Sequence, residues 1–337
     1  MDKFTKAINL ISDHYYSDIL INHSPANGYR SRCEFGYKNG FYTMFNSDGK
    51  RLNLRSFPVA RPSIQNIMSP LLDCINCNED LYNKLFQVNF RTNSINKILV
   101  TLIYHKPLND DLKHQAIKLS DNLNIDINVR ARKELFSSGQ ELLRDPVHSS
   151  IFNLYQTDQS FYQPNYFHMP QMISKAIEFI DDPKDLLELY CGSGTFTLPL
   201  STIFNRVFAS ESNRQSIKCI TKTINEHKID NIKFARLSAE EVSEAFLGRI
   251  FRRMKGININ DYDFSHILVD PPRSGLGKDV MPLLNNFENI IYISCNYETY
   301  VKDFKMLDNY EIKKIEIFDQ FPNTPHLELV SILKKIN

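Results

Sequence analysis

The sequence of 337 residues lacks any apolar run of the roughly 18 to 20 residues that a membrane-spanning helix needs. It has no internal repeat and no low-complexity tract. Its first residues, MDKFTKAINLISDHYYSD, contain neither a long apolar core nor a small-residue cleavage site, so we expect no secretory signal. These absences predict a cytoplasmic globular protein, and the length suffices for two domains.

Cysteine is also scarce, with six residues scattered along the chain. That number is too small for a disulfide framework in a chain of this length, and it suits a reducing compartment. Cys74 and Cys77 form a single CxxC motif, without a second pair or neighbouring histidines. A metal or redox role and two ordinary small residues are both open for this pair, and we expect no metal site.

The net charge of +1 says little about partners, but its distribution says more. Residues 1–150 carry 19 Lys and Arg against 15 Asp and Glu. Within 23–61 seven basic residues face two acidic ones, with aromatic residues such as Tyr29 and Phe45 interleaved. Basic groups beside flat rings are typical of a nucleic-acid surface. A solvated hairpin with an aromatic core explains the same pattern.

The first half reads as strands with few helices. Asn39-Gly40 and Asp48-Gly49 predict two hairpin turns, and Pro62 predicts the start of a helix. A second hairpin-like pair follows in FQVNFRT and KILVTLIYH, then a helix near 110–122, the strand INVRAR and polar loops to about 160. We therefore expect an α+β domain that ends in the polar stretch near 150–160.

The second half alternates helix and strand from about residue 170. This alternation predicts an α/β fold with a Rossmann-like, doubly wound, mostly parallel sheet. Two strand-like runs near the C-terminus, KKIEIF and LELVSILKK, are joined by a turn too short for a helix. They predict an antiparallel hairpin on one edge of the sheet.

A glycine-bearing turn follows the apolar strand in LELYCGSGTFTLPL, residues 187–200. Glycine allows close approach of the backbone to a ligand, and Glu211, at the end of the next strand, suits ribose hydroxyls. The run is not a complete GxGxxG, because Thr197 stands at the third position. The pattern favours S-adenosylmethionine over a dinucleotide, although a structural glycine turn produces it as well.

Two more polar segments follow apolar strands. Asp270 ends a strand in ILVDPPRSG, and Arg273 stands where amino-methylating enzymes with a similar motif carry an aromatic residue, so an amine target is less favoured. Cys295 follows IIYIS. A lone cysteine is often an inert small residue, but carboxyl ends of parallel strands meet at one edge, where ligands bind. That position favours a nucleophile.

The last segment is FDQFPNTPHLE, residues 318–328. Glu328 lies two residues from His326, so a strand would point both side chains to one face. A carboxylate beside a histidine suits a proton acceptor, and a solvent-facing strand pair is the alternative.

Together these segments resemble the tRNA (uracil-5-)-methyltransferase family. LELYCG, DPPRSG, ISCN and FDQFP with HxE carry the resemblance, and GYRSRCEF, SFP, KLFQV, LIYHKPLND and FYQPN extend it to the N-terminal half. It implies an RNA-binding α+β domain over 1–155 and an S-adenosylmethionine-dependent catalytic domain over 156–337. It further implies methylation of the T-loop uridine of tRNA, position 54 by convention, with the T arm as the RNA partner.

The resemblance also implies roles for individual residues. Cys295 matches the nucleophile that adds to C6 of uracil, and Glu328 matches the base that removes the C5 proton. The residues expected to bind the cofactor are Gln163, Tyr190, Gly192, Thr195, Glu211 and Asp270. The residues expected to contact RNA are Arg30, Arg32, Phe161 and Arg273. Two positions depart from the family pattern: Thr195 replaces a frequent Asn, and Tyr297 replaces a frequent Pro.

There are three alternative functions, and the residues disfavour the first two. A ribosomal-RNA uracil-5-methyltransferase commonly carries a four-cysteine iron–sulfur site and an added β-barrel, and this chain has neither the cysteines nor the room. A cytosine C5 methyltransferase has its nucleophile after Pro, whereas Ser294 precedes Cys295. The third alternative is an RNA-binding or RNA-folding module in which methylation is secondary.

Overall fold

A computed structural model describes residues 2–146 and 151–336. The elements of the first half are α1 (Lys3–Ser12), β1 (Leu20–Asn22), β2 (Arg32–Lys38), β3 (Phe41–Phe45), β4 (Arg51–Leu54), α2 (Pro62–Asn76), α3 (Glu79–Tyr82), β5 (Leu85–Thr92), β6 (Ile98–Tyr104), α4 (Asp110–Leu123), β7 (Asp126–Arg130), β8 (Leu135–Ser137), β9 (Leu143–Pro146) and β10 (Asn153–Gln156).

The second half continues with α5 (His168–Glu178), β11 (Asp185–Leu189), α6 (Thr197–Leu200), β12 (Arg206–Ser210), α7 (Arg214–His227), β13 (Ile232–Ala235), α8 (Ala239–Phe246), two 3-10 turns (Arg252–Met254 and Ile259–Asp261), β14 (Phe264–Val269), α9 (Met281–Leu284), β15 (Asn289–Ser294), α10 (Tyr297–Phe304), β16 (Tyr310–Phe318) and β17 (Glu328–Lys335).

Seven strands of the first half form the N-terminal sheet, in the order β4-β3-β2-β5-β6-β7-β8. The turn between β2 and β3 is the predicted one, because Asn39 and Gly40 both have left-handed φ angles, 51° and 79°. Helices α2 and α4 pack on one face of this sheet, where their apolar side chains form a single core with β5, β6 and β7. The predicted hairpins and the helix starting at Pro62 are confirmed.

The expected polar loops up to residue 160 are wrong in part, since β8, β9 and β10 lie there. These strands are three or four residues long, and β9 and β10 pair only with each other. Such short segments carry too few side chains to show alternation, so they read as loops.

The C-terminal sheet has eight strands in the order β1-β16-β17-β15-β14-β11-β12-β13. Strands β15, β14, β11, β12 and β13 run parallel, and separate apolar cores cover the two faces. All five residues of β11 are buried, as expected for a central strand with helices on both sides. The predicted Rossmann-like sheet and the antiparallel pair β16–β17 are confirmed.

The edge of this sheet differs from the prediction. Strand β1 pairs parallel to β16, with Asn22 opposite Phe318, and therefore covers the C-terminal hairpin. Helix α1 packs through Ala7 and Ile11 into the apolar core on one face of the C-terminal sheet, and it contacts α10. The division into 1–155 and 156–337 stays a prediction. From the first range, α1, β1 and β10 pack against elements of the second.

Candidate active site

The ends of three neighbouring parallel strands bring together most of the predicted cofactor residues. Leu189 of β11 pairs with Ser210 of β12 and with Val269 of β14. The next residues of these strands are Tyr190, Glu211 and Asp270, so they stand side by side at the carboxyl edge of the sheet. Tyr190 has a left-handed φ of 60°, which is uncommon for a residue with a side chain and is typical of functional turns.

The glycine turn lies directly over this edge. Gly192 N donates to Glu211 Oε2 at 3.0 Å, and Asn213 N donates to Glu211 Oε1 at 2.6 Å. Gly194 has a φ of 89°, and a Cβ there would lie 3.0 Å from Ile220 Cδ1, so glycine is required for packing as well as for conformation. Thr195 is buried in the same turn, and α6 behind it is only four residues long.

The segment 161–165 closes the other side. The Phe161 ring lies 3.7 Å from where a Cβ of Gly192 would be, and Ser193 Oγ donates to Phe161 O at 3.1 Å. Gln163 Nε2 donates to Asp270 Oδ2 at 3.4 Å, and Gln163 Oε1 accepts from Gln320 Nε2 at 2.8 Å. Gln163 thus connects the edge of the sheet to the segment after β16.

The carboxyl groups of this edge suit S-adenosylmethionine, whose ammonium, ribose hydroxyls and adenine amine are donors. Burial and the charge of Glu211 raise the pKa of Asp270 to about 7. Glu188, inside β11, was not singled out from the sequence. Its carboxyl group is buried, which raises its pKa to about 8, and hydrogen bonding with Thr197 acts in the opposite direction. The carboxyl groups of Glu211 and Asp270 and the glycine turn are the features that fit this cofactor.

Cys295 and Glu328 meet on adjacent strands. In the antiparallel pair β15–β17, Ser294 is opposite Leu329. One further step of this register puts Cys295 opposite Glu328. Burial, then Glu328 and Asp270, raise the pKa of the Cys295 thiol to about 11, and Arg273 acts in the opposite direction. The thiol is therefore protonated at neutral pH in the free protein.

Glu328 is almost completely buried at the first position of β17. Burial and the neighbouring Asp270 raise its pKa well above the ordinary value, and Arg273 partly offsets them. His326 lies in the segment before β17, so the two side chains do not share a strand face as expected. Burial, then the charges of Arg273 and Lys3, lower the pKa of His326 and keep its ring neutral.

Cys295 opens into a small cavity of about 210 Å³. Its walls include Arg273, Tyr297 and His326. The Arg273 side chain is exposed, while its backbone oxygen accepts from Asn296 Nδ2 at 3.2 Å and from Thr299 Oγ1 at 3.3 Å. The loop that carries the cysteine therefore also fixes the backbone of Arg273.

The two arginines of the first half that are predicted to contact RNA differ in the groups that they contact. The Arg30 guanidinium lies 6.0 Å from the centre of the Phe321 ring, which belongs to the segment before Glu328. Arg32 is paired with Glu34 at 2.5 Å, so part of its charge is neutralised. Phe161 has 48% of its surface exposed beside the glycine turn.

Sequence reasoning missed a groove in the N-terminal sheet. The rings of Phe86 and His105 are stacked, with centroids 4.2 Å apart, beside a cavity of about 840 Å³. Lys106, Arg132 and Lys133 line the same cavity. Phe86 stands at a β-bulge, because the pairing of β5 with β6 shifts between Leu85 and Gln87. The bulge directs Phe86 outward, and 49% of its surface is exposed.

The structure adds little to the CxxC pair. Cys74 is partly buried, Cys77 is exposed, and both are free thiols. Within residues 2–146 and 151–336, no group of three or more His, Cys, Asp or Glu side chains is suited to a metal ion. In the same ranges no helix is long and apolar enough to cross a membrane.

The fold matches that of a solved enzyme. The Pyrococcus abyssi tRNA (uracil-54, C5)-methyltransferase, determined with S-adenosyl-L-homocysteine, is similar with a TM-score of 0.77 and 22% identity, over 98% of this chain and 81% of that one. This likeness shows the fold. The fold, the glycine turn and the acidic residues of the next strands define a Rossmann-like nucleoside-binding enzyme.

Sequence comparison is more specific. Residues 1–336 match the family model described as tRNA (Uracil-5-)-methyltransferase. Proteins named tRNA/tmRNA (uracil-C(5))-methyltransferase are 40% identical in a Nitratiruptor species, over 90% of this chain and 86% of that protein, and in Acinetobacter baumannii, over 93% and 91%. The chain belongs to the tRNA (uracil-5-)-methyltransferase family, whose cofactor is S-adenosylmethionine. The predicted family, enzyme class and cofactor are confirmed.

Proposed function

We propose that this enzyme methylates carbon 5 of the T-loop uridine of tRNA, position 54, through a covalent bond between Cys295 Sγ and C6 of the base. One observation supports the covalent route above others: the β15–β17 pairing ends at Ser294 and Leu329, so Cys295, which lines a small cavity, and the buried Glu328 are the next residues on adjacent strands. The tRNA substrate is favoured by the family and by the names of the relatives.

The first step is attack of the cysteine on the ring. Uracil C5 is a poor nucleophile, and addition of Cys295 Sγ to C6 moves electron density to C5 and the O4 carbonyl. The S–H proton must leave during this step, because burial keeps the thiol protonated in the free protein. Asp270, whose charge acts on the thiol, is suited to take this proton and to return it when Cys295 is released, which leaves Glu328 free for the C5 proton. Arg273, on the wall of the cavity, is suited to stabilise the negative oxygen.

S-adenosylmethionine, when bound, supplies an electrophilic methyl group on its sulfonium. Glu211, Asp270, Gln163, Tyr190, Thr195 and the Gly192 turn are the residues that would hold it. Once C5 carries the methyl group, Glu328 removes the C5 proton as a general base. The C5–C6 double bond forms again, the C6–S bond breaks, and Cys295 is released as a thiolate that regains its proton.

RNA must present the uracil unstacked, at a cost of a few kcal/mol. Loops lower that cost because their bases are already partly free. The Phe86–His105 stack is suited to hold another unpaired base, while Lys106, Arg132 and Lys133 are suited to neighbouring phosphates. Arg30 beside Phe321 is suited to a phosphate close to the target base.

The direct test is methylation of unmodified tRNA with labelled S-adenosylmethionine, followed by mapping of the modified nucleotide. We expect one labelled 5-methyluridine in the T loop. Cys295→Ala should lose methyl transfer by on the order of 10⁴-fold or more while tRNA binding stays within about twofold. Label at another nucleotide contradicts the substrate assignment, and an active Cys295→Ala variant contradicts the covalent route.

A further inference from the structure

We propose that Lys3, in the first turn of α1, is a positioning residue of the reaction, because its ammonium group holds the segment that presents Glu328. This inference rests on the proposed role of Glu328 as the base. It assigns a part in catalysis to the N-terminal helix, which the family motifs of the C-terminal half do not include.

The contacts of Lys3 span the whole segment between β16 and β17. Its Nζ atom donates to Asp319 Oδ1 at 2.5 Å, to Phe321 O at 3.0 Å and to His326 O at 3.1 Å. Three acceptors satisfy all three donors of an ammonium group. The side chains of Lys3 and Asp319 are only 12% and 11% exposed, so this is an interior contact and not a surface ion pair.

The two halves of the segment are held differently. Its first half has several partners: Asp319 N donates to Asn22 O at 2.8 Å, Ser24 Oγ to Asp319 O at 3.3 Å, and Asn165 Nδ2 to Gln320 O at 3.2 Å. Within the described part of the chain, the hydrogen bonds that reach residues 321–327 from outside the segment come from Lys3. Lys3 is therefore the tie between the fixed half and the half that leads into Glu328.

The position of Glu328 depends on this tie. His326 O is two residues from Glu328, the first residue of β17, which is paired with Phe318 of β16. Losing the ammonium would leave the buried Asp319 carboxylate and the His326 carbonyl oxygen without this donor, whereas Phe321 O keeps Thr324 N and Oγ1, and the segment would rearrange to satisfy the two groups. A displacement of about 1 Å in a reacting group can cost about 100-fold in rate.

Loss of the Lys3 ammonium should change which step of the methylation reaction is slow. Cys295 is held by β15 and its loop, and the segment that Lys3 holds contributes one wall of its cavity at His326, whereas Glu328 directly follows that segment. In Lys3→Met the methylated Cys295–RNA adduct should therefore accumulate, as it should in Glu328→Gln. A purely structural role would lower the amount of folded enzyme without changing the share of bound RNA that is trapped as adduct.

The experiment compares Lys3→Met, Lys6→Met and Glu328→Gln in the full-length chain. Lys6 lies on the exposed side of the same helix and serves as the matched control. Each variant is mixed with a T-arm RNA hairpin and labelled S-adenosylmethionine, then denatured, and methylated protein–RNA adduct and free product are quantified per folded molecule. We expect product release by Lys3→Met to fall about 10- to 100-fold with accumulation of adduct, Lys3→Arg to restore part of it, and Lys6→Met to match the unmodified enzyme.

The outcomes separate this inference from the proposed function. Adduct in Glu328→Gln but not in Lys3→Met overturns the role of Lys3 and leaves the base intact. Absence of adduct in both overturns Glu328 as the base and the inference with it. If Lys3→Met does not fold, Asp319→Asn removes the same ion pair with an isosteric side chain, and the same two readings apply.

Discussion

The two sheets of this protein carry their functional groups in different ways. In the C-terminal sheet, Tyr190, Asp270 and Cys295 each follow the last residue of a buried parallel strand. In the N-terminal sheet, Phe86 and His105 reach the surface through a β-bulge and a strand end. The first arrangement holds the groups to which we assign the chemistry on a rigid edge, and the second exposes a pair of stacked rings at the side of a sheet. The comparison suggests that chemistry resides in one sheet and RNA recognition largely in the other.

The largest expected difference concerns the thiols. At pH 7.5 a thiol with a pKa of about 11, as for Cys295, is alkylated more than about 100-fold more slowly than a free cysteine with a pKa near 8.5. Because only the thiolate reacts, the rate at Cys295 should rise about tenfold per pH unit up to about pH 11. Iodoacetamide labelling, read by peptide mass spectrometry, tests this, with the exposed Cys77 of the N-terminal half as internal reference. Equal labelling of both at pH 7.5 contradicts a buried, protonated nucleophile.

A smaller effect is expected from the stacking surface. Phe86→Ala should raise KM for tRNA about tenfold, since a stacked base contributes about 1 to 3 kcal/mol, and should change kcat less than twofold. Phe45→Ala is the matched control, because Phe45 is 63% exposed on β3 and does not line the groove. Steady-state kinetics with unmodified tRNA separate KM from kcat. A loss confined to kcat would contradict the assignment of RNA recognition to the N-terminal sheet.

A substitution at the cofactor edge should change the affinity for the cofactor and leave the affinity for RNA unchanged. Glu211→Gln replaces a charged acceptor with a neutral one, and we expect the Kd for S-adenosyl-L-homocysteine to rise severalfold, up to about tenfold. Glu244→Gln changes an ion-paired glutamate of α8 and serves as the control. Calorimetry without RNA measures both. An unchanged Kd in Glu211→Gln contradicts its role in holding the cofactor.

The C-terminal site was largely predictable from sequence because its residues follow strong local signals. An apolar strand that ends in a polar residue indicates a position at the ligand edge, and this holds for Asp270 and Cys295. Glu328 required the family resemblance, since nothing local distinguishes its carboxyl group from others.

Other features depend on contacts that sequence periodicity does not encode. In β5, Phe86 stands two residues before the buried Val88 and four before the buried Phe90, yet the bulge leaves Phe86 half exposed. The pairing of β1 with β16 joins residues almost three hundred positions apart, and the contact of Lys3 with Asp319 joins residues even farther apart. Such long-range contacts are set by tertiary packing, and sequence periodicity does not indicate them.

The most direct test of the central claim, that Cys295 and Glu328 act in sequence on one uracil, is isolation of the covalent intermediate in Glu328→Gln. The variant is incubated with a T-arm RNA hairpin and labelled S-adenosylmethionine, digested, and analysed by mass spectrometry. We expect a Cys295 peptide joined to a nucleotide that already carries the methyl group, together with a fall in product release of about 100-fold or more. Normal turnover without this adduct, or an adduct on another residue, would contradict the account.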